Sequence, residues 1–418
     1  MNPNTDLPPP PRLVGALGTV ELVALVAFLM ALNALAIDVM LPALHNIAEA
    51  FSLPTEGEGA NRQQLVIFAY VAGFGAPQII FGPLSDRFGR KSVLRICLLA
   101  YAAVAALCML AISFPGLLAA RFLQGIAAGG IRVIAVSVIR DIHAGRGMAR
   151  IMSLVMTVFM IVPILAPSIG QLILFVLPWQ GTFGILLVAG LGGFLWVERR
   201  LPETLPEDRR QPLSIAGSLA SYRAVFANPL ARGYIVGSGV IFGALFGFIG
   251  SSEQVFREVF GQEDTFVLWF AGVALTMSIA SLTNSRLVER FGMRRISHAA
   301  MFAFIIFSAL LLAAMLIFGQ KLLIFFPLFA LMFASFGFIG ANFNAIIMEP
   351  LGHIAGTASA AFGFATTTIA AGFGYFIGSH YDGTVIPVIT GFLTLGIGTL
   401  VIVTITERGH LFRAPSEE

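Results

Sequence analysis

Asp38 lies inside Val20–Leu44, an apolar stretch long enough to cross a hydrocarbon layer of about 30 Å at about 1.5 Å per residue. A carboxyl group at that depth costs about 2.5–3.5 kcal/mol on insertion scales, so by default it marks an ion or solute pathway. Offered in turn to two compartments, it can bind a proton from one and lose it to the other. A cationic solute competing for the same carboxylate would then give exchange without further machinery. The plainer alternatives are a static partner for Arg121 or a polar group in a cleft.

Arg121 and Arg132 fall within one later apolar stretch. Their spacing puts them about 16 Å apart in height and only about 20° off a common helix face, with Gln124 close to that face. A cationic stripe facing lipid is expensive, so this face must look into the protein or an aqueous cleft. Arg132 can pair with an acid, bind an anionic group of a solute, or snorkel towards an interface. Asn33, Tyr70, Asn342, Asn344, Phe362, Phe364 and Tyr375 are further candidates for a cleft wall of mostly aromatic character. Each of them taken alone is more often a packing residue. Glu253, Glu349 and His353 lie near span ends, where capping or solvated roles are expected.

The elements that position these groups are legible in the composition. Of 418 residues, 57% are hydrophobic and 11% charged, whereas soluble domains carry about 25% charged residues. Most of the surface must therefore face lipid. The 38 Phe suit lipid contact and an apolar pocket. Twelve windows read as spanning helices, numbered spans 1–12: 20–44, 63–84, 92–113, 116–139, 150–176, 180–198, 233–256, 265–285, 296–318, 321–344, 354–378 and 384–405. Continuous apolar runs favour helices over an alternating barrel pattern. Cys97 and Cys108 share span 3 about 16 Å apart and cannot bridge.

Twenty of the 25 Lys and Arg fall in alternate connections that share the side of the N-terminus. The positive-inside rule then predicts both termini in the cytoplasm. The proline-rich start does not read as a signal peptide. The expected division is a tail at 1–19, a six-helix bundle at 20–198, a charged loop at 199–232, a second bundle at 233–405 and a tail at 406–418. Both bundles carry a related loop after their second span. Leu84, Asp86, Arg87, Phe88, Gly89 and Lys91 match Leu287, Glu289, Arg290, Phe291, Gly292 and Arg294 at a constant offset of 203 residues. Repeats of this kind predict a midplane site between halves. Gly125 with Gly129, and Gly239, Gly243 and Gly247, form small-residue faces for close packing within a half or sliding between halves.

These residues resemble the major facilitator superfamily over nearly the whole chain. The segment Gly82-Pro-Leu-Ser-Asp86-Arg87-Phe-Gly89-Arg90-Lys91 is similar to its inter-span signature. Arg121-Phe-Leu-Gln124-Gly125 resembles the proton-linked motif of its drug exporters. Pro163-Ile-Leu-Ala166-Pro167-Ser-Ile-Gly170 resembles their antiporter motif, with Ala166 and Gln171 in place of glycines of the commoner form. The segments 36–44 and 349–358 are similar to the bicyclomycin/chloramphenicol-resistance (Bcr/CflA) branch. The resemblance implies a twelve-helix all-α fold in a bacterial inner membrane, and export of small amphipathic compounds in exchange for protons. It gives Arg121 a part in coupling by tuning a carboxylate, and Pro163 and Pro167 a bend that keeps the cleft proton-tight. Gly89 would make a tight turn in a conformational latch, and Asp86 would cap a helix or pair across the halves.

No phosphate-cradling loop, metal-ligand cluster, hydrolytic triad or basic–aromatic array stands out, so no cofactor, metal, enzymatic activity or nucleic-acid partner is expected. The expected partners are a small amphipathic solute, protons and the bilayer, with the protein a monomer. Transport of one specific metabolite, with Arg132 as an anion anchor, is the alternative. A non-transporting receptor is a third.

Overall fold

The computed structural model describes residues 17–54, 60–75, 77–143, 145–210 and 215–412; the side chains of a few helical residues, His353 among them, lie outside the described residues. Within these the chain is helical throughout. Eleven helices are long and apolar enough to cross a membrane, and a bent pair brings the number to twelve. In lipid every backbone polar group needs an internal partner, which is why uninterrupted apolar runs become helices.

Spans 1, 4 and 7 (Thr19–Ala50, Phe114–Ile142 and Pro229–Val259) bury 61, 67 and 72% of their apolar windows, against 22% for span 5 (Arg150–Leu174). The first three thus form the interior, and span 5 lies towards the periphery. The halves meet where span 2 packs on span 11 (Gly356–Ser379), span 5 on span 8 (Phe266–Phe291), and the 41–43 turn of span 1 on span 7. A separate helix, Ile215–Ala227, lies in the segment joining the halves and packs on spans 7 and 11. Many Phe residues are core rather than lipid-facing. Phe248, Phe329 and Phe333 meet edge to face or tilted at 4.7–5.1 Å inside the second half.

Two expected helices are interrupted. The window 63–84 is not one straight span: Arg62–Gly75 and Gln78–Phe88 meet at 46°, with Pro77 at the junction. Proline lacks the donor that would continue the helix. In span 5 the break falls at Met160–Ile161, just ahead of the expected bend. Pro163 occupies the first turn of the next helix, Val162–Leu174, where no donor is needed, and Pro167 lies within it.

The small-residue faces bring backbones together within each half. A Cβ on Gly125 would collide with the Tyr70 carbonyl, and one on Gly129 would lie 2.7 Å from the Phe74 carbonyl, so span 4 sits directly on span 2. Gly239, Gly243 and Gly247 receive Ile369, Phe373 and Ile377 of span 11.

Candidate functional site

Span 1 is where the polar groups at depth converge. Its first helix, Thr19–Asp38, stops at Asp38, and a short turn through Pro42 leads into Leu44–Ala50. Asp38 is 5% exposed, and among the described residues no hydrogen bond or ion pair reaches its carboxylate. The carbonyls on either side of it are held from two directions. Arg121 donates from Nη2 to the Ala36 carbonyl at 2.9 Å. Gly170 of span 5 sits so close to the Val39 carbonyl and Pro42 that a Cβ would collide. The antiporter-like motif and the span 4 arginine thus both bear on the broken segment that carries the carboxylate.

Arg121 is fully buried, and its described partners are uncharged. Nε donates to the Val66 carbonyl at 3.1 Å, and Nη1 to Gln124 Oε1 at 2.6 Å. Its guanidinium lies over the Tyr70 ring at 4.4 Å, and the Tyr70 hydroxyl donates to Asn33 Oδ1 at 3.1 Å. Tyr70 and Gln124 are therefore packed inside this network rather than lining a cleft, because a buried guanidinium recruits every nearby acceptor. Asn342 is likewise packed, donating to Asn284 Oδ1 at 2.8 Å between spans 10 and 8.

A cavity of about 730 Å³ opens between the halves at the end carrying the 82–91 loop, here the basic end. Gln78, Gly82, Asp86, Arg132, Asn344 and Phe362 are among its walls; of the expected cleft residues only Arg132, Asn344 and Phe362 line it. Phe364 is half-buried against the core. Tyr222, from the connecting helix, also lines the cavity and donates to the Ile79 carbonyl at 2.9 Å. Burial pushes its phenol up to about 12, so it remains a neutral donor.

The opposite end is shut by carboxamides. Gln64 donates to Gln254 Oε1 at 2.6 Å and to the Gly378 carbonyl at 3.3 Å. Gln254 donates to Asn61 Oδ1 at 2.7 Å, and Asn61 to the Tyr381 carbonyl at 2.8 Å. All four bonds join the first half to the second. Phe68 and Tyr375 meet edge to face beside them at 5.7 Å. Glu253, expected as a solvated cap here, is instead 4% exposed and paired with Arg257 at 2.6 Å. Arg257, one turn further along the helix, supplies the partner that a solvated cap would have taken from water.

At the basic end the signature loop is tied to its own half. Arg90 pairs with Asp86 at 2.5 Å and with Asp141 at 3.0 Å, and donates to Ser85 Oγ at 2.6 Å. Gly89 adopts φ +89°, the left-handed region that favours glycine, to turn the chain between helices. Glu203 accepts from the backbone N–H of Arg90 at 2.8 Å and of Lys91 at 3.1 Å, capping span 3 (Arg90–Met109). A carboxylate there suits the positive helix end. Lys91 Nζ reaches the Glu198 carbonyl at 2.9 Å, while Arg87 is exposed beside Phe88. The related loop in the second half differs: Glu289 and Arg290 are exposed, and Arg294 pairs with Glu349 and Glu407, each at 3.0 Å.

Sequence reasoning did not single out Glu203, Asp141, Gln64, Gln254, Asn61 or Gln78. Uncharged amides at span ends carry little signal by themselves. Glu203 had one cue, its place directly after Pro202 where span 6 ends.

The family model described as Major Facilitator Superfamily matches residues 24–375. A Bacillus subtilis protein named "Uncharacterized MFS-type transporter YdgK" is 29% identical over 92% of this chain and 94% of its own. The "Bicyclomycin resistance protein homolog" of Haemophilus influenzae is 28% identical over 84% of this chain and 87% of its own. "Multidrug resistance protein MdtL" of Escherichia coli O157:H7 is 29% identical over 51% of this chain and 54% of its own. Among solved structures, a D-xylose–proton symporter superposes with a TM-score of 0.71 at 14% identity, covering 95% of this chain and 99% of the other.

Proposed function

The chain belongs to the major facilitator superfamily, and from that premise we propose that it is a proton-coupled transporter exporting small amphipathic compounds by alternating access. Both termini would face the cytoplasm of a bacterium, as the loop arginines favour. One observation carries the reading. Asp38 is buried in a broken span without a donor among the described residues, and the segment around it is gripped by Arg121 and Gly170. A group so placed can change protonation when the halves rock, and the grip transmits that change to spans 4 and 5. The relatives named for bicyclomycin and multidrug resistance support export of drug-like solutes.

In this conformation the solute would enter the basic-end cavity from the cytoplasm while the carboxamide seal excludes the far side. Rocking of the halves would close the first and open the second. Protons returning down their gradient would drive the cycle at about 2.3 kcal/mol per charge per 100 mV, plus the pH difference.

The test is reconstitution into liposomes carrying a pH-sensitive dye, with bicyclomycin, ethidium and 2-naphthoate added in turn. Proton movement opposite to solute is expected for the wild type, with coupled flux reduced to the leak rate in Asp38→Asn. Uphill transport by Asp38→Asn at the normal rate and with normal pH response would refute the reading, as would solute and proton moving together.

A further inference from the structure

We infer that the basic-end cavity takes a solute bearing a fixed oxyanion, such as a carboxylate, held by the Arg132 guanidinium with the Gln78 carboxamide beside it. This rests on the transport reading and names the class of its solute. The charged side chains in the cavity wall are Asp86, Arg132 and Arg140. Asp86 is taken by Arg90 at 2.5 Å. Neither cavity arginine has a carboxylate partner among the ion pairs of the described residues. Arg132 touches only uncharged groups there, Gln78 Oε1 at 3.5 Å and the Phe74 ring at 5.7 Å. Arg140 bonds Ser137 Oγ at 3.3 Å and lies against Gly356 at the start of span 11, where a helix dipole adds further positive charge.

Arg132 stands ten residues before the end of its helix at Ile142, about 15 Å from the basic end. Snorkelling to the interface is out of reach, and a lone charge at that depth is costly. Gly363 of span 11 makes the position a junction of both halves. A Cβ there would collide with the Gln78 carboxamide and come within 3.7 Å of Arg132 Nη1. An oxyanion at this point would accept paired guanidinium donors while Val133, Val136 and Phe362 cover an apolar body. An organic cation would instead meet two unneutralised guanidinium groups, and its own charge would find only a carboxylate already engaged.

Binding of a matched set to the purified full-length protein in lipid nanodiscs tests this directly: 2-naphthoate, 2-naphthamide and 2-naphthylmethylammonium, by isothermal calorimetry. The carboxylate is expected to bind about tenfold more tightly than the amide, with the ammonium weakest. Arg132→Gln should bring carboxylate and amide within about twofold, and Arg132→Lys should retain part of the preference. Equal binding of the three, preference for the ammonium, no binding of naphthoate, or an unchanged preference in Arg132→Gln would each overturn the inference. The wild-type ratio needs no variant to fold. Binding is read without a pH gradient, so proton-coupled flux without the preference sinks this inference alone. Preference without flux sinks only the transport reading.

Discussion

At the closed end the two halves are joined by uncharged amides, whereas the ion pairs described at the basic end each form within one half. Gln64, Gln254, Asn61 and the carbonyls of Gly378 and Tyr381 form a network that crosses between halves. Arg90 with Asp86 and Asp141, Arg200 with Glu21, and Arg294 with Glu349 and Glu407 never do. The difference would suit the alternating access proposed above. Neutral amides can exchange one another for water, and Gln64 Oε1 lacks a described donor even here, so each bond of the seal holds it by only about 1 kcal/mol. Ion pairs kept within a half would let that half move as a unit in the proposed cycle.

The largest expected effect is on Arg90, which is 4% exposed among its two carboxylates. Arg90→Ala leaves Asp141, 14% exposed, with Thr204 as its described partner, while Asp86, 42% exposed, can take up water; stability should fall by about 3 kcal/mol, read as a lowered thermal midpoint in detergent. If that variant instead kept its stability and changed which end is open, the charges would be bridging the halves after all. Next comes the paired change Gln64→Ala with Gln254→Ala, which removes three bonds across the seal. At about 1 kcal/mol each, the equilibrium should shift roughly a hundredfold towards opening at that end. Spin labels at positions 60 and 382 would report it as a longer distance by pulsed EPR, and an unmoved distribution would assign the closure to something other than the amides. The smallest effect is expected at Arg95, whose pair with Glu198 leaves the two side chains 44% and 38% exposed. Arg95→Ala should stay within about 1 kcal/mol and leave the distance unchanged; a larger loss would extend the role of the Arg90 pairs to rim charges.

Much of the frame was legible in the chain. The depth of Asp38 and Arg121 follows from counting residues in an apolar run, and the two-half arrangement from the 203-residue offset between related loops. The close helix contacts at Gly125, Gly129 and Gly170 follow from their lack of a side chain. The partners of those groups were not legible. Arg121 was expected beside a carboxylate and is instead anchored by the Ala36 and Val66 carbonyls, which no residue type announces. Glu203 caps a helix that begins 113 residues earlier in the chain. Pro77 is a cue in the chain to the broken span 2, but neither its 46° bend nor the packing of span 11 on both pieces can be read from that residue.

What the amino-acid order determined by itself is the set of apolar crossings and the height at which each charge sits, because hydrophobic length and helical rise are properties of short stretches of chain. Only the tertiary structure decided which end is shut and which polar groups remain without a partner. Gln64 and Gln254 meet from 190 positions apart, and among the described residues the fold brings no counter-charge within pairing distance of Asp38 or Arg132. Such pairings depend on the relative placement of whole helices, which no short stretch of chain specifies.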